Sequence, residues 1–189
     1  MNAVRLNDPA SLYEQLLALP ENLTGEIIGG VLYAQPRPTG RHAMAESGLG
    51  ATLLPPFQRG KEGPGGWWIL DEPEIHFSRD IVVAVPDLAG WRRERMPEIP
   101  ESHRFEVAPD WVCEILSPST AGKDRIKKLP LYARYQVAYA WLLDPLARTL
   151  EAYALRNEGW LLIATLEGDD SVCVPPFDAI TFSLAELWA

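Results

Sequence analysis

The chain has 189 residues, 47% hydrophobic and 23% charged, with 17 Lys and Arg against 26 Asp and Glu and a formal net charge of −9. That length fits one domain, residues 1–189, with a sizeable core, and the acidic balance weighs against a protein that coats nucleic acid through a broad basic surface. No run of about 18 apolar residues is present to span a membrane, and Met1–Asp8 lacks the basic start and apolar stretch of a signal peptide, so the expected location is cytoplasmic.

Asn7 or Asp8 can cap a first helix with Pro9 at its first position; Leu12, Leu16, Leu17 and Leu19 supply its apolar face and Pro20 stops it. Gly25–Gln35 alternates in part, with Gly29-Gly30 marking a hairpin turn. Arg41–Thr52 reads as a helix ended by Pro55-Pro56, and Trp67–Leu70, Glu74–Phe77 and Ile81–Val85 read as short strands. Glu94–Pro109 is polar, carries three prolines and reads as an exposed loop. Asp110–Leu116 is an apolar strand. Lys123–Gln136 has helical spacing through Ile126, Leu129 and Ala133, with a kink or a helix start expected near Pro130. Ala138–Leu143 is a strand ending at the Asp144-Pro145 turn, Thr149–Leu155 and Trp160–Leu166 form an antiparallel hairpin, and Ser183–Trp188 is a short helix. Strands joined by crossover helices imply a mixed sheet with helices on its faces. Cys113 and Cys173 lie in apolar runs and read as buried free thiols, too far apart for a zinc signature.

Two carboxylates stand out. Asp87 follows Pro86 at the end of the Ile81–Val85 run, and Glu114 lies among apolar residues in WVCEILS. A carboxylate inside such a strand is costly unless it is paired, protonated or bound to a cation. Magnesium suits a pair of carboxylates from adjacent strands, because it takes hard oxygen ligands and keeps several waters. Alternation places Val112, Glu114 and Leu116 on one face of their strand, and a matching register on the neighbouring strand would bring Asp87 to Glu114. The plain alternative is that Glu114 pairs with a buried Arg or Lys and Asp87 only begins a turn. Asp110 shares the face of Glu114 but stands ~13 Å away at strand rise, too far for one small cation. A carboxylate pair also suits a glycosidase, which needs a sugar-sized cleft, and nothing else in the sequence favours one.

The densest basic stretch, Lys123, Arg125, Lys127 and Lys128, is a solvated helix face or a phosphate contact, and Arg92, Arg93 and Arg95 form a second candidate on a loop. Trp67 and Trp68 are adjacent, so alternation turns one outward; with Trp91 and Trp188 they suggest a subunit interface and a homodimer. Taken alone, His42 reads as structural or solvent-facing and Glu26 as a strand-end surface charge.

The stretches GEIIGGVLYAQPRPTGRHA, VAVPDLAGWR, APDWVCEILSPST and DRIKKLPLYARYQVAYAWLLDP together resemble the Uma-two family of restriction endonucleases, in the PD-(D/E)xK nuclease superfamily, from about Glu26 to Asp144. The resemblance implies an α/β (α+β) fold: a restriction-endonuclease-like mixed central β-sheet flanked by helices, with additional antiparallel strands. It implies hydrolysis of DNA phosphodiester bonds with Mg²⁺ or Mn²⁺. Asp87 matches the first metal-binding aspartate and Glu114 the acidic residue of the second half-motif. Glu26 matches an acidic residue that completes the metal shell, and His42 a histidine near the site. The backbone carbonyl of Ile115 is a further candidate ligand. Position 116, where the motif wants lysine, is Leu. Lys128 matches a lysine moved to the following helix, with Lys127 the second choice. The alternative is a nuclease-fold module without catalysis that serves in nucleic-acid binding or assembly.

Overall fold

The computed structural model describes residues 11–157 and 159–188. The expected caps Asn7, Asp8 and Pro9 lie outside them. The first described helix, α1 (Leu12–Leu17), is capped by Ser11, whose side chain accepts from the Glu14 amide while Glu14 reaches back to the Ser11 amide. The Gly29-Gly30 turn joins β1 (Leu23–Ile28) to β2 (Val31–Pro36), with both glycines at positive φ. Helix α2 (Gly40–Leu53) buries His42, Ala45, Leu49 and Leu53 along one stripe. The α-helix ends at Leu53, just ahead of Pro55-Pro56, as expected. The chain runs on through a π turn, Leu54–Gln58, whose wider i→i+5 bond from the Arg59 amide to the Leu54 carbonyl tolerates the missing proline donors.

Strands β3 (Trp67–Asp71), β4 (Glu74–Ser78) and β5 (Val82–Ala84) fall where alternation places them. One strand was not foreseen: β6 (Leu88–Arg92) starts directly after Asp87. The polar 94–109 segment contains a two-residue strand, β7 (Arg104–Phe105), and leads to β8 (Trp111–Ile115). The predicted Lys123–Gln136 helix is α3 (Ala121–Lys123), a π turn (Asp124–Lys128) and α4 (Leu129–Arg134), with Pro130 in the first turn of α4. Of the expected apolar stripe Leu129 and Ala133 are buried, but this wide turn leaves Ile126 74% exposed while Asp124 and Lys128 turn inward. Strands β9 (Tyr139–Asp144), β10 (Thr149–Arg156) and β11 (Gly159–Glu167) follow. A small pair, β12 (Ser171–Val172) and β13 (Phe182–Ser183), precedes the closing 3₁₀ turn at Leu184–Leu187. Among the described residues no helix is long and apolar enough to cross a membrane.

The strands form two large sheets. The mixed six-stranded sheet has the order β11-β10-β9-β8-β6-β3, and the five-stranded sheet has the order β2-β1-β5-β4-β7. Only β8 and β9 run parallel in the larger sheet, because α3 and α4 carry the chain back between them. Its two faces feed two cores. Trp111, Cys113 and Ile115 pack under α2 and the C-terminal segment. Val112 and Leu116 pack against α4 and the five-stranded sheet through Ile75 and Ala84. Both faces of β8 and β9 are therefore covered, which is why they read as unbroken apolar runs.

Two expectations about side chains fail. Cys173 is exposed, while Cys113 is buried. Trp91 is fully buried, donating from Nε1 to the Val107 carbonyl; Trp68 is half-buried, bonded to the Met96 carbonyl and covered by the Arg93 guanidinium at 3.7 Å. Both rings are held by local backbone carbonyls, which removes much of the aromatic surface expected at an interface.

Phe177 anchors the C-terminal segment among Phe57, Trp67, Trp111 and Trp141, at ring separations of 4.6, 5.1, 4.9 and 5.7 Å. Phe177→Ala should cost about 3–5 kcal/mol in urea unfolding; a loss below about 1 kcal/mol, as at a surface position, would show that this cluster does not hold the segment.

Candidate functional site

The β6–β8 register pairs Leu88 with Cys113, Ala89 with Val112 and Gly90 with Trp111. Continued by one residue, it sets the Asp87 backbone across from Glu114, but the two side chains take different partners, Asp87 the His42 ring and the Ile115 amide, Glu114 Lys128 and Tyr132. The backbone holds Asp87 in place: its carbonyl accepts from the Glu72 amide at 2.9 Å, and Oδ2 accepts from the Ile115 amide at 2.5 Å. Oδ1 lies 2.8 Å from Nε2 of His42, in the first turn of α2. One turn on, Glu46 stands 4.0 Å from the same imidazole nitrogen. Burial lowers the His42 pKa, but the hydrogen bond and charge of Asp87, helped by Glu46 and Glu72, raise it overall. The Glu46 carboxyl is pushed up to about 7 by burial and by the charges of Asp87 and Glu72.

Glu114 faces the other way, into the core between the sheets. Oε2 accepts from Lys128 Nζ at 2.8 Å, and Oε1 accepts from the hydroxyl of Tyr132. The same ammonium donates to Glu26 Oε1 at 2.8 Å and to the Val85 carbonyl at 3.1 Å, so its three protons are all used. Glu26 is fully buried, and is completed by the Val85 amide at 2.9 Å and by Lys123 Nζ at 2.5 Å from Oε2; Lys123 also donates to Gln35. Burial opposes the charge of Lys128, yet Glu114 and Glu26 outweigh it and its pKa rises. Burial also works against Glu26, but Lys128 and Lys123 hold its carboxyl below the ordinary range. Glu114 goes the opposite way: burial lifts it, Lys128 offsets this in part, and Asp124, Asp87 and Glu26 add to the rise. Of the two carboxylates sharing one ammonium, Glu114 is the one short of positive charge.

The plain alternative for Glu114, a buried lysine partner, is therefore present, and that partner is Lys128, one of the nominated site residues. Leu116 is buried in the core, so position 116 carries no charge to the site, and the lysine bonded to Glu114 comes from the helix. Lys127 points away, over the Tyr33 ring at 5.8 Å. Glu26 is buried in the ion network, not a surface charge. Tyr132, Gln35, Glu46 and Glu72 escaped the sequence reading. Tyr132 was accessible in principle, since Asp124, Lys128 and Tyr132 recur every four residues along one helical face.

The basic candidates fare unevenly. Lys123 turns inward to Glu26, and Arg125 forms a two-pronged pair with Glu151 at 2.6 and 3.0 Å. Arg93 is tied to the carbonyls of Trp67 and Gln58, and Arg92 lies over the Trp67 ring, both at the end of β6 remote from Asp87, about 16 Å along the strand. Arg95 pairs with Asp110 at 2.8 Å, which gives Asp110 a structural role.

Asp87 and His42 open onto a cleft of about 230 Å³ lined also by Thr24, Gln35, Glu72 and the Ser117–Thr120 turn. A groove of about 510 Å³ between α2 and β3 adjoins it, and the two share Arg37, Pro38 and Glu72. Among the described residues no three His, Cys, Asp or Glu side chains stand close enough to enclose a metal ion. Magnesium or manganese uses one or two carboxylates and completes its shell with water and phosphate; of the two carboxylates Asp87 faces the cleft, while Glu114 is buried and engaged by Lys128 and Tyr132.

Removing the shared ammonium tests the network. In Lys128→Met, Glu114 loses its cation and Glu26 keeps only Lys123, so burial weighs more heavily on both carboxyls, most on Glu114. An acid raised in the folded state costs stability once the pH exceeds its ordinary value of 4.5, and the cost grows toward the raised value. The variant should be about 3–5 kcal/mol less stable at neutral pH, the scale for a broken buried pair, with a smaller deficit near pH 4. Urea unfolding at both pH values checks this; equal deficits would contradict it.

A family model described as "Putative restriction endonuclease", Uma2, matches residues 11–185. A crystal structure at 1.96 Å of a putative nuclease belonging to DUF820 from Anabaena variabilis ATCC 29413 is 25% identical, with a TM-score of 0.74, over 95% of this chain and 97% of that one. No curated protein matches the sequence. With that model spanning nearly all the described residues, over a mixed α+β fold shared with a nuclease structure, the chain belongs to the Uma2 family.

Proposed function

We propose that this chain is an endonuclease that hydrolyses DNA phosphodiester bonds with Mg²⁺ or Mn²⁺, and that residues 1–189 act as one domain. The observation that supports the reading is Asp87 on a cleft with His42, one residue before the strand paired with β8, and the buried Glu114–Lys128 pair on β8 behind it. Asp87 and Glu114 are the proposed metal ligands, and the Ile115 carbonyl a third. Bound there, the ion supplies Lewis acidity toward the phosphate and lowers the pKa of a water.

The protein's own groups have separable roles on this reading. His42 donates to Asp87 and fixes its carboxylate at the mouth of the cleft. Lys128 holds the Glu26 carboxyl down, offsets part of the burial that lifts Glu114, and adds positive charge behind the cleft. Glu26 acts through Lys128: both its oxygens already accept from Lys128, Lys123 and the Val85 amide, which moves it from metal ligand to positioning residue. The Ser117–Thr120 turn and Arg37 line the open side of the cleft, where a strand's phosphates would pass.

A second reading has an observation of its own. Both Glu114 oxygens and all three Lys128 protons are used within the protein, as in a nuclease-fold module that binds nucleic acid without cutting it. Calorimetric titration with Mn²⁺ separates the two, since such a module need not retain the ion.

Asp87→Asn and Glu114→Gln should each reduce Mg²⁺-dependent cleavage of DNA on the order of 100-fold or more, the scale on which catalytic groups act, while circular dichroism shows a folded protein. Undiminished cleavage in either variant would sink the assignment.

A further inference from the structure

The Asp87 cleft is the middle of a longer trough. On one side it runs into the groove between α2 and β3, with which it shares Arg37, Pro38 and Glu72. On the other it runs into a groove of about 510 Å³ between β2 and α3, with which it shares Gln35, Pro36, Ser119 and Thr120. The two arms differ in charge. Glu46, Asp71 and Glu72 line the first, whereas Lys123 and Lys127 line the second and no described Asp or Glu does. Lys123 is bonded to Glu26 and Gln35. Lys127 is exposed and makes no ion pair or hydrogen bond among the described residues; its neighbour is the Tyr33 ring, 5.8 Å away. That is close to the outer limit of a cation–π contact, so the ammonium is held loosely. Tyr33 is half-buried: it packs against the apolar core and also lines this groove.

A polyanion entering the trough favours the arm with the lysines over the arm with three carboxylates. A ring beside a cation in a groove suits unpaired nucleic acid, because the ring stacks on a base while the cation meets a phosphate. In a duplex the bases stack on one another and present only their edges. We infer that the β2–α3 groove is a binding site for an unpaired DNA strand running to Asp87, with a base stacked on Tyr33 and a phosphate on Lys127. This rests on the endonuclease reading above and narrows its substrate to DNA with an unpaired strand.

The experiment is fluorescence anisotropy of a labelled single-stranded oligonucleotide, and of the same sequence as a duplex, in EDTA over a range of salt. The full-length wild-type protein is compared with Lys127→Gln, Tyr33→Leu and Lys61→Gln. Lys61 lines none of the three grooves, and its variant removes the same charge. The wild-type protein should bind the single strand more tightly than the duplex. Lys127→Gln should make the plot of log K against log salt shallower by about 0.7, the value for one phosphate contact on a single strand, while Lys61→Gln matches wild type. Tyr33→Leu should raise the Kd for the single strand about 5-fold or more and leave the duplex unaffected. Wild-type slope and affinity in both groove variants overturn the inference, as does an equal change in Lys61→Gln, tighter binding of the duplex, or no binding of either DNA. The titration needs neither metal nor cleavage, so the two readings fail separately. A protein that cleaves DNA while its binding ignores both groove substitutions keeps the endonuclease reading and loses this site; one that binds as expected without cleaving keeps the site and loses the cleavage.

Discussion

One ammonium group joins the two large sheets. Lys128 Nζ donates to Glu26 on β1 of the five-stranded sheet, to Glu114 on β8 of the six-stranded sheet, and to the carbonyl of Val85, where the chain crosses from one sheet to the other. Val85 is held from both sides, because its amide also donates to Glu26. Two residues later comes Asp87, whose position is set by that crossing and by the Ile115 amide. Burying such a cluster is not a means to stability, since desolvating charges costs several kcal/mol per ion and apolar side chains of similar size do as well or better. What the cluster provides is definition: every donor and acceptor in it has a directional partner, and Asp87 and Glu114 are held at the same strand ends.

The π turn at Asp124–Lys128 makes this possible. An i→i+5 turn rotates the following residues relative to a regular helix, so the apolar Ile126 is left outside and the charged Asp124 and Lys128 are carried in. Pro130 then begins α4, where its missing amide proton and fixed φ are harmless. A lysine on a helix can in this way occupy the place of a strand lysine, and Leu116 is free to pack in the core.

This explains what was legible in the sequence. The hairpin at Gly29-Gly30, α2, strands β3 to β5 and the β10–β11 hairpin follow from period and turn chemistry, which are local. That Asp87 and Glu114 come from neighbouring chain segments was legible from strand order, but that their side chains take separate partners was not. The strand β6 was not, since Leu88–Arg92 is buried on both faces and has no alternation to read. Ile126 misled because apolar periodicity presumes a constant 3.6-residue turn, and the π turn breaks it. The basic run misled for a different reason: a sequence shows charges but not which buried carboxylates they answer, and Lys123 and Arg125 answer Glu26 and Glu151. Tyr132 was overlooked because its partner Glu114 lies eighteen residues away in the chain and is adjacent only once β8 and α4 pack together.

The placement of charge around the cleft bears on how an acidic protein could meet a polyanion. Lys123 and Lys128 are spent on Glu26 and Glu114 within the core. The open side keeps Asp87, Glu72 and Glu46 against Arg37, with the His42 ring bonded to Asp87. The raised Glu46 carboxyl shows how crowded those negative charges are. A phosphate backbone brought to such a rim is repelled unless a cation stands between them, and a divalent ion reverses the local field where surface lysines do not reach. The net charge of −9 is then no obstacle to a DNA substrate. On the proposed reading it is the expected state of a site whose positive charge comes with the metal and whose own cations are reserved for holding the ligands in place.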